Sequence, residues 1–577
     1  MQANEQFLKR TFYQYLPPTI LSVLGGTINV MTDSLIVGNV LGEKGLVAIN
    51  LCTPIYLLLC TCGSLVGSGA ATLSSMEIGR GERDRGKGCY TQAVFLIAAF
   101  AVVFTIVGLA LLHPIVGLLG VQSALRQMVL DYAFIIILGA APKLFLYIPF
   151  YYLRLDGRPR FVTVTMLTMM LLNIVLDLWF LAGLNLGMTG AALAGTISSL
   201  AACLLGFFFL TRKSSGFHLQ KLRLSGLRSI FRIGSPIALN NFLSAVRLVM
   251  LNAILLSAGG TAAVSFFAVA NSMNELGLCV INGVPQTTSP IIGVYYGERD
   301  NQSIRFLLHR QLTTGVLLAA AYASLLAIFP AQICGMFGAG QEGKIALLCL
   351  AASLPFAMLA SSFVYFFNST ARIGLANLIT ACRILLFAAV PAWFLSLSGD
   401  PDLVWFFYPA SELLTLAAAF GMIVWFALRN PHLSRFLLLD DRLEREGRVI
   451  NFSVENNVQA VCEASEKITA FCEQNSFSPK QTITISLAIE EMLTVIQQNC
   501  FKAGEIRTVD VRVFTVQGVI GIRLRSGGRE FNPLSYYESR QDSDTDGDTL
   551  GIEMIIKMAA EVHYQRTFGV NSLLILI

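Results

Sequence analysis

The first 430 or so residues of this 577-residue chain carry twelve apolar stretches, each long enough to cross a bilayer. A hydrocarbon core ~30 Å thick needs about 20 apolar residues of helix. The runs fall near 15–40, 46–76, 90–113, 128–153, 161–182 and 189–211. After a basic linker they resume near 230–257, 262–293, 306–329, 345–369, 375–396 and 402–428. Beyond Arg429 they stop and an ordinary soluble composition begins. The expected fold is an all-α polytopic membrane protein of twelve transmembrane helices, followed by a cytosolic α/β sandwich domain.

Composition removes the competing classes. Only 13% of residues are charged, against about 25% in soluble chains, and the mean hydropathy is +0.65. The net charge of +5 is small, and Lys and Arg sit in short loops instead of forming a basic face, which argues against nucleic acid as a partner. Met1 to Arg10 is polar and the first apolar run is too long for a signal-peptide core, so no cleavable signal is expected. The twelve cysteines are scattered, with no Cys-x-x-Cys or Cys/His metal spacing, and read as small buried hydrophobes.

Loop charge sets orientation. Loops after even-numbered spans are basic: Arg80, Arg83, Arg85 and Lys87, then Arg154, Arg158 and Arg160, then Arg212, Lys213, Lys221, Arg223 and Arg228. Those after odd-numbered spans hold little beyond Lys44, Arg126 and Lys344. The positive-inside rule then places both termini in the cytoplasm.

The chain also repeats itself. Gly81-Glu82-Arg83-Asp84 recurs as Gly297-Glu298-Arg299-Asp300, each after the second span of its half. Asp177-Leu-Trp-Phe-Leu181 is echoed by Pro391-Ala-Trp-Phe-Leu395 in the fifth spans. The offsets, 216 and 214, nearly agree. The organisation read from this is an N-terminal six-helix lobe (1–212), a basic cytoplasmic linker (213–229), a C-terminal six-helix lobe (230–430), a second linker (431–449) and a cytosolic domain (450–577). Such repeats put a substrate path at the lobe interface and suit alternating access.

Over residues 10–430 the sequence resembles the multidrug and toxic compound extrusion (MATE) family. The likeness rests on Met31-Thr-Asp33-Ser-Leu-Ile-Val-Gly38, Gly79-Arg-Gly81-Glu, Asn173-Ile-Val-Leu-Asp177 and Gly187-Met-Thr-Gly190-Ala-Ala-Leu-Ala194. It implies a multi-pass secondary transporter of the bacterial inner membrane, not an enzyme. Such a protein exchanges H⁺ or Na⁺ for drugs or other amphiphilic organic cations and requires no cofactor.

Asp33 and Asp177 are the strongest candidates for the coupling site. A carboxylate at bilayer depth costs roughly 2.5–3.5 kcal/mol even on translocon scales, so it marks function by default. Each lies 16–18 residues into a span that starts in the cytoplasm, hence at similar depth. Asn173 is one turn before Asp177 on the same face. Two close carboxylates that cannot both ionise share a proton, or a bound Na⁺ replaces it. The family resemblance assigns the cation or proton site to residues matching Asp33, Asn173 and Asp177, and adds a threonine that Thr196 matches. The repeat puts Pro391 opposite Asp177 and Phe387 opposite Asn173, and Val249 to Asn252 near the Asp33 equivalent, so the second lobe has no such site. That lobe holds Arg247, Glu275, Arg383 and Glu412, which read as two structural ion pairs at matched depth. The alternative is that Glu275 or Glu412 attracts a cationic substrate. Pro17 and Pro18 could let span 1 bend.

Residues 450–577 read as helices Asn457–Gln474 and Pro479–Lys502, strands Thr508–Val516 and Val519–Arg525, a loop Ser526–Thr549, a helix Gly551–Ala560 and strands Val562–Phe568 and Leu573–Ile577. This order, with Leu487-Ala-Ile-Glu-Glu491, Arg529-Glu-Phe531-Asn-Pro533 and Leu550-Gly551-Ile552, resembles the ATP-binding domain of serine-kinase anti-sigma factors, a histidine-kinase-like ATPase fold. The match has gaps. Val495 stands where that family has a magnesium-binding asparagine, Ser526 where an aspartate reads adenine, and Thr549 where a glycine is expected. Asn499 is one turn beyond Val495. The set Glu491, Val495, Asn499, Ser526, Gly528 and Gly551 therefore reads as a degenerate nucleotide site. ATP and Mg²⁺ are not expected there, and the tail reads as a regulatory module with a cytosolic protein partner.

Two other readings stand against the antiporter. A lipid-linked precursor flippase needs a cationic cavity, and only Lys143 and Arg247 offer one in spans 1 to 10. A sensor kinase needs a phosphoacceptor histidine, and only His432 precedes the tail, without the surrounding acid and arginine.

Overall fold

The computed structural model describes residues 2–80, 82–118, 126–211, 217–221, 226–336, 343–446, 448–501, 507–516, 519–540, 550–567 and 569–577. Among them, nine helices are long and apolar enough to cross a membrane, and ten if the bent pair Arg126–Leu138 and Ala140–Leu155 is one span. The two expected spans outside that set, 15–40 and 262–293, lie inside α1 (Gln2–Gly79) and α7 (Leu227–Gly297). Both carry unusual numbers of polar residues for a span, among them Thr27, Asn29, Thr32 and Asp33 in one and Asn271, Asn274, Glu275 and Asn282 in the other.

Each of these long helices turns back on itself. In α1, Asp33 and Tyr56 are within electrostatic reach of one another. A straight helix would separate them by about 35 Å, so α1 turns back between them. In α7 the turn is at Gly259-Gly260, where Gly260 takes φ 63°. Between the long helices run α2 (Arg83–Ala110), α3 (Arg126–Leu138), α4 (Ala140–Leu155), α5 (Pro159–Asp177) and α6 (Gly187–Leu210). The second half adds α8 (Asn301–Ile328), α9 (Lys344–Ser369), α10 (Ile373–Ala381), α11 (Phe387–Ser396) and α12 (Phe407–Arg429). Val103, Ile106, Leu204, Phe208, Leu317 and Phe394 lie exposed on these helices, as a lipid-facing surface requires.

The two halves meet backbone to backbone at the end that carries the tail. A Cβ on Gly79 would overlap the Val294 carbonyl oxygen, one on Gly297 the Met76 oxygen, one on Gly234 the Leu65 oxygen and one on Gly69 the Ile230 oxygen. Small residues of this kind let membrane helices approach closely. Side chains add to the seam: Arg154, also bonded to Ser22 Oγ of its own half (2.7 Å), donates across to Gln286 Oε1 (2.9 Å), and Asn241 to Ser64 Oγ (3.1 Å). This end of the molecule is closed.

The tail is a five-stranded antiparallel sheet in the order β1-β2-β3-β5-β4, formed by β1 (Val449–Glu455), β2 (Thr508–Val516), β3 (Val519–Ser526), β4 (Glu561–Thr567) and β5 (Val570–Leu576). Helices α13 (Val458–Gln474), α14 (Pro479–Cys500), α15 (Pro533–Arg540) and α16 (Leu550–Met558) complete it. Asn457 caps α13 through Ala460 N, and Ser478 with Gln481 forms a capping box on α14. The expected helices and four strands are present within a few residues. β1 is an addition, and α15 occupies part of what reads as loop; Asp542 to Thr549 lie outside the described residues. Alternation sends Val509, Val511, Val513, Ile522 and Leu524 into a core with Ile485, Ile489, Leu493 and Ile552.

The opposite face of the sheet is also covered, because it sits on the transporter helices. Arg512, Arg523 and Arg525 alternate with those core residues and are buried, their side chains only 1–4% exposed. Arg523 pairs with Glu298 at 2.6 Å, and Arg525 with Glu298 and, at 2.9 Å, with both Asp300 and Asp510. Arg512 reaches Asp300 at 3.3 Å and donates to the Arg299 carbonyl at 2.7 Å. Burial raises the Asp300 carboxyl, but Arg512, Arg525 and the Ser303 N–H outweigh it and hold the group at about 2. Burial dominates at Asp510 and pushes it up to about 6, against the pull of Arg525.

Candidate functional site

Asp33 and Asp177 come together. The carboxyl of Asp33, halfway along α1, and that of Asp177, at the end of α5, lie within hydrogen-bonding range of each other. α1 and α5 run alongside one another to bring this about: Thr163 donates to the Pro18 carbonyl at 2.6 Å, and Gly25 packs on Met166 and Leu167. Directly after Asp177 the helix widens into a π turn, Leu178–Gly183, the kind of defect often found at functional sites.

Asp177 is fully buried and Asn173 is 1% exposed. Among the described residues, both Asp177 oxygens, both Asn173 amide atoms and Asp33 Oδ1 have no hydrogen-bond partner beyond the facing of the two carboxyls. Buried polar atoms are satisfied in the great majority of cases, so five orphans at one point call for an explanation. Asn29 Oδ1 is a further orphan, one turn before Asp33. The two helices thus each present Asn-x-x-x-Asp, Asn29/Asp33 and Asn173/Asp177. The sequence reading used that spacing once and missed its twin.

Two more side chains join from α3 and α4. Tyr132, buried, interacts electrostatically with both Asp33 and Asp177. Lys143, half-buried, interacts with Asp33 and Cys60. Between them, at Gly139, the helix pair bends by 53°. Thr196 packs against Gly139 and gives its hydroxyl to Ala192 O at 2.8 Å, so it is not seen bonded to either aspartate.

Of the two expected ion pairs in the second half, one forms. Arg383, inside a π turn at Cys382–Leu386, forks onto Glu412 with contacts of 2.9–3.1 Å and donates to Ala357 O. Arg247 and Glu275 do not close to 4 Å and feel each other only at longer range. Glu275 is exposed. One turn along, Cys279 bonds Thr27 of α1 at 3.3 Å, so this face of α7 looks across to the other half. Matched depth did not make the pair, because the two side chains do not meet across the helix surfaces.

In the tail, Val495 is buried in the core and Asn499 donates back to Val495 O at 2.9 Å. Ser526 is buried beside Cys500 at 3.7 Å, Gly528 abuts the Cys500 carbonyl, and Glu491 presses against Gly551.

Comparison with known proteins places this architecture. The MatE family model matches residues 18–179 and 236–394, and the chain belongs to the MatE family of membrane transporters, which are secondary transporters and not enzymes. Among curated relatives, the multidrug export protein MepA of Staphylococcus aureus (strain MSSA476) is 24% identical over 420 residues, covering 71% of this chain and 91% of MepA. MepA of Staphylococcus saprophyticus is 24% identical over 327 residues, 55% of this chain and 70% of that one. Among solved structures, an outward-facing multidrug resistance MATE transporter of the MOP superfamily superposes with TM-score 0.69 at 21% identity, over 73% of this chain and 96% of its own. A variant of the Vibrio cholerae MATE transporter VcmN gives TM-score 0.69 at 20% identity, over 74% and 98%.

Proposed function

We propose that this protein is a cation-coupled antiporter that exports drugs or other amphiphilic organic cations across the bacterial inner membrane. In this reading twelve helices form two six-helix lobes that rock about a central site, and the tail end faces the cytoplasm. The observation that carries it is the convergence of unpartnered oxygens from Asp33, Asp177 and Asn173 in a buried place. Carboxylate and amide oxygens are hard donors, suited to Na⁺ as well as to a shared proton. The names of the relatives support multidrug export as the cargo class. Transport in proteoliposomes with imposed H⁺ or Na⁺ gradients, against a panel of amphiphilic cations, tests this. Efflux driven by neither gradient would sink it.

Glu275, exposed and without a close partner, is the acid best placed to attract a cationic substrate. Glu275→Gln is expected to raise KM for cationic substrates by roughly tenfold, the effect of about 1.4 kcal/mol of lost attraction, with kcat little changed. An equal effect on neutral amphiphiles would remove Glu275 from the substrate path. Lys143, by contrast, balances Asp33 whenever the carboxyl pair has released its cation. Lys143→Gln should slow turnover by roughly tenfold without abolishing it, and Lys143→Arg should retain most activity. Wild-type kinetics in Lys143→Gln would rule that role out.

We read the tail as a regulatory module and not a working kinase. A buried Val495 cannot ligate Mg²⁺, and Asn499 spends its amide on its own helix.

A further inference from the structure

We propose that the tail is a clamp: the Arg512, Arg523 and Arg525 face of its sheet grips the Glu298-Arg299-Asp300 corner and holds the two halves of the transporter shut on the cytoplasmic side. This rests on the alternating-access reading above and specifies what the tail regulates.

The clamp closes over the seam between the halves. Glu298 and Asp300 follow the end of α7, in the C-terminal half, and Gly79 ends α1, in the N-terminal half. Arg523 touches both: its guanidinium pairs with Glu298 at 2.6 Å and points a second nitrogen at the Gly79 carbonyl at 3.4 Å. Gly79 itself lies against Val294 and Gly297. The groove between β3, β4, β5 and the transporter is lined by Leu8 and Thr11 from the start of α1 and by Val294 and Glu298 from α7. Opening toward the cytoplasm means parting these ends, and the sheet lies across them.

Charge makes the contact specific. Three arginines meet three carboxylates, Glu298, Asp300 and Asp510, so the buried cluster is neutral as a whole. Neutralising one member leaves a buried charge without its counter-ion, which breaks such a network far more readily than it would a surface pair. Peripheral bonds hold the same corner: Asn301 donates to Asp440 O (2.7 Å) and Glu444 (2.9 Å), Asn451 to Gln302 (3.2 Å), and Arg372 to Leu438 O (3.2 Å). Among the described residues the other copy of the repeat has no such grip: Glu82 is exposed and pairs with its neighbour Arg85.

The test separates clamp from transport. Ser75 is buried between the halves, against Gly293, and a Ser75→Cys probe reports whether the cytoplasmic ends have parted. The full chain carrying that probe, cleared of reactive native cysteines, is labelled from the cytoplasmic side of inside-out vesicles with an impermeant maleimide. Glu298→Gln, which takes the Glu298 carboxylate from both Arg523 and Arg525, and truncation after Asn430 are each expected to speed labelling on the order of tenfold and to raise initial efflux. Arg523→Gln with Arg525→Gln should do the same from the tail side. If the arginine variant does not reach the membrane, Glu298→Gln carries the test alone, since it leaves the tail untouched. Unchanged labelling in Glu298→Gln and in the truncated chain overturns the clamp, whatever happens to efflux. Faster labelling without efflux in any form, wild type included, upholds the clamp and overturns the antiporter reading instead.

Discussion

Asp177→Asn is expected to leave a protein that inserts and folds but moves no substrate against a gradient. The asparagine has almost the same shape, and apart from the facing Asp33 carboxyl the described residues give neither Asp177 oxygen a hydrogen-bond partner to lose. What disappears is one of two carboxyls that must exchange a cation. Coupled acids titrate in two steps that belong to the pair, so replacing one by an amide removes that coupling and leaves a single carboxylate to hold the cation. Efflux driven by an imposed gradient should fall to the level of empty liposomes, and Asp33→Asn should behave alike. The check is uptake into proteoliposomes at matched protein content. Full transport by Asp177→Asn would sink the assignment.

The second large effect is steric. Gly234→Ala places a methyl group on the Leu65 carbonyl, and Gly79→Ala places one on the Val294 carbonyl. In both cases the obstacle is backbone, which cannot rotate aside, and overpacking of this kind costs about 1–3 kcal/mol. The tail-side ends should then fail to close, efflux should be lost, and a cysteine at Ser75 should label rapidly. Gly374→Ala, a change into open space, serves as the control and should transport normally. Normal efflux by Gly234→Ala would mean that the seam does not need to seal.

The aspartates could be found from sequence because an acid in an apolar run has few other reasons to exist. Asn173 followed from its place one turn away. Tyr132 and Lys143 could not be placed, because they reach the site from other helices and nothing in their own segments points to it. The failed Arg247/Glu275 pair has a related cause. Counting residues along a span gives depth but not the angle about the helix axis, and only Arg383 and Glu412 share both. Two stretches read as apolar runs, 15–40 and 262–293, carry too many polar residues to stand out as membrane crossings in the structure. The tail arginines were the largest omission. On a strand, charged residues alternating with Val, Ile and Leu read as a solvated face, and the cover here comes from a loop more than 200 residues earlier.

The duplicated four-residue corner has a consequence for how such a machine can be controlled. Doubling one unit gives the fold two equivalent handles, yet a single appended domain can grasp only one of them. The acid pair stayed with the first copy and the handle in use belongs to the second. On the antiporter and clamp readings, ion chemistry and command thus belong to different copies, and anything the tail senses would reach the ion through the glycine seam where the copies touch.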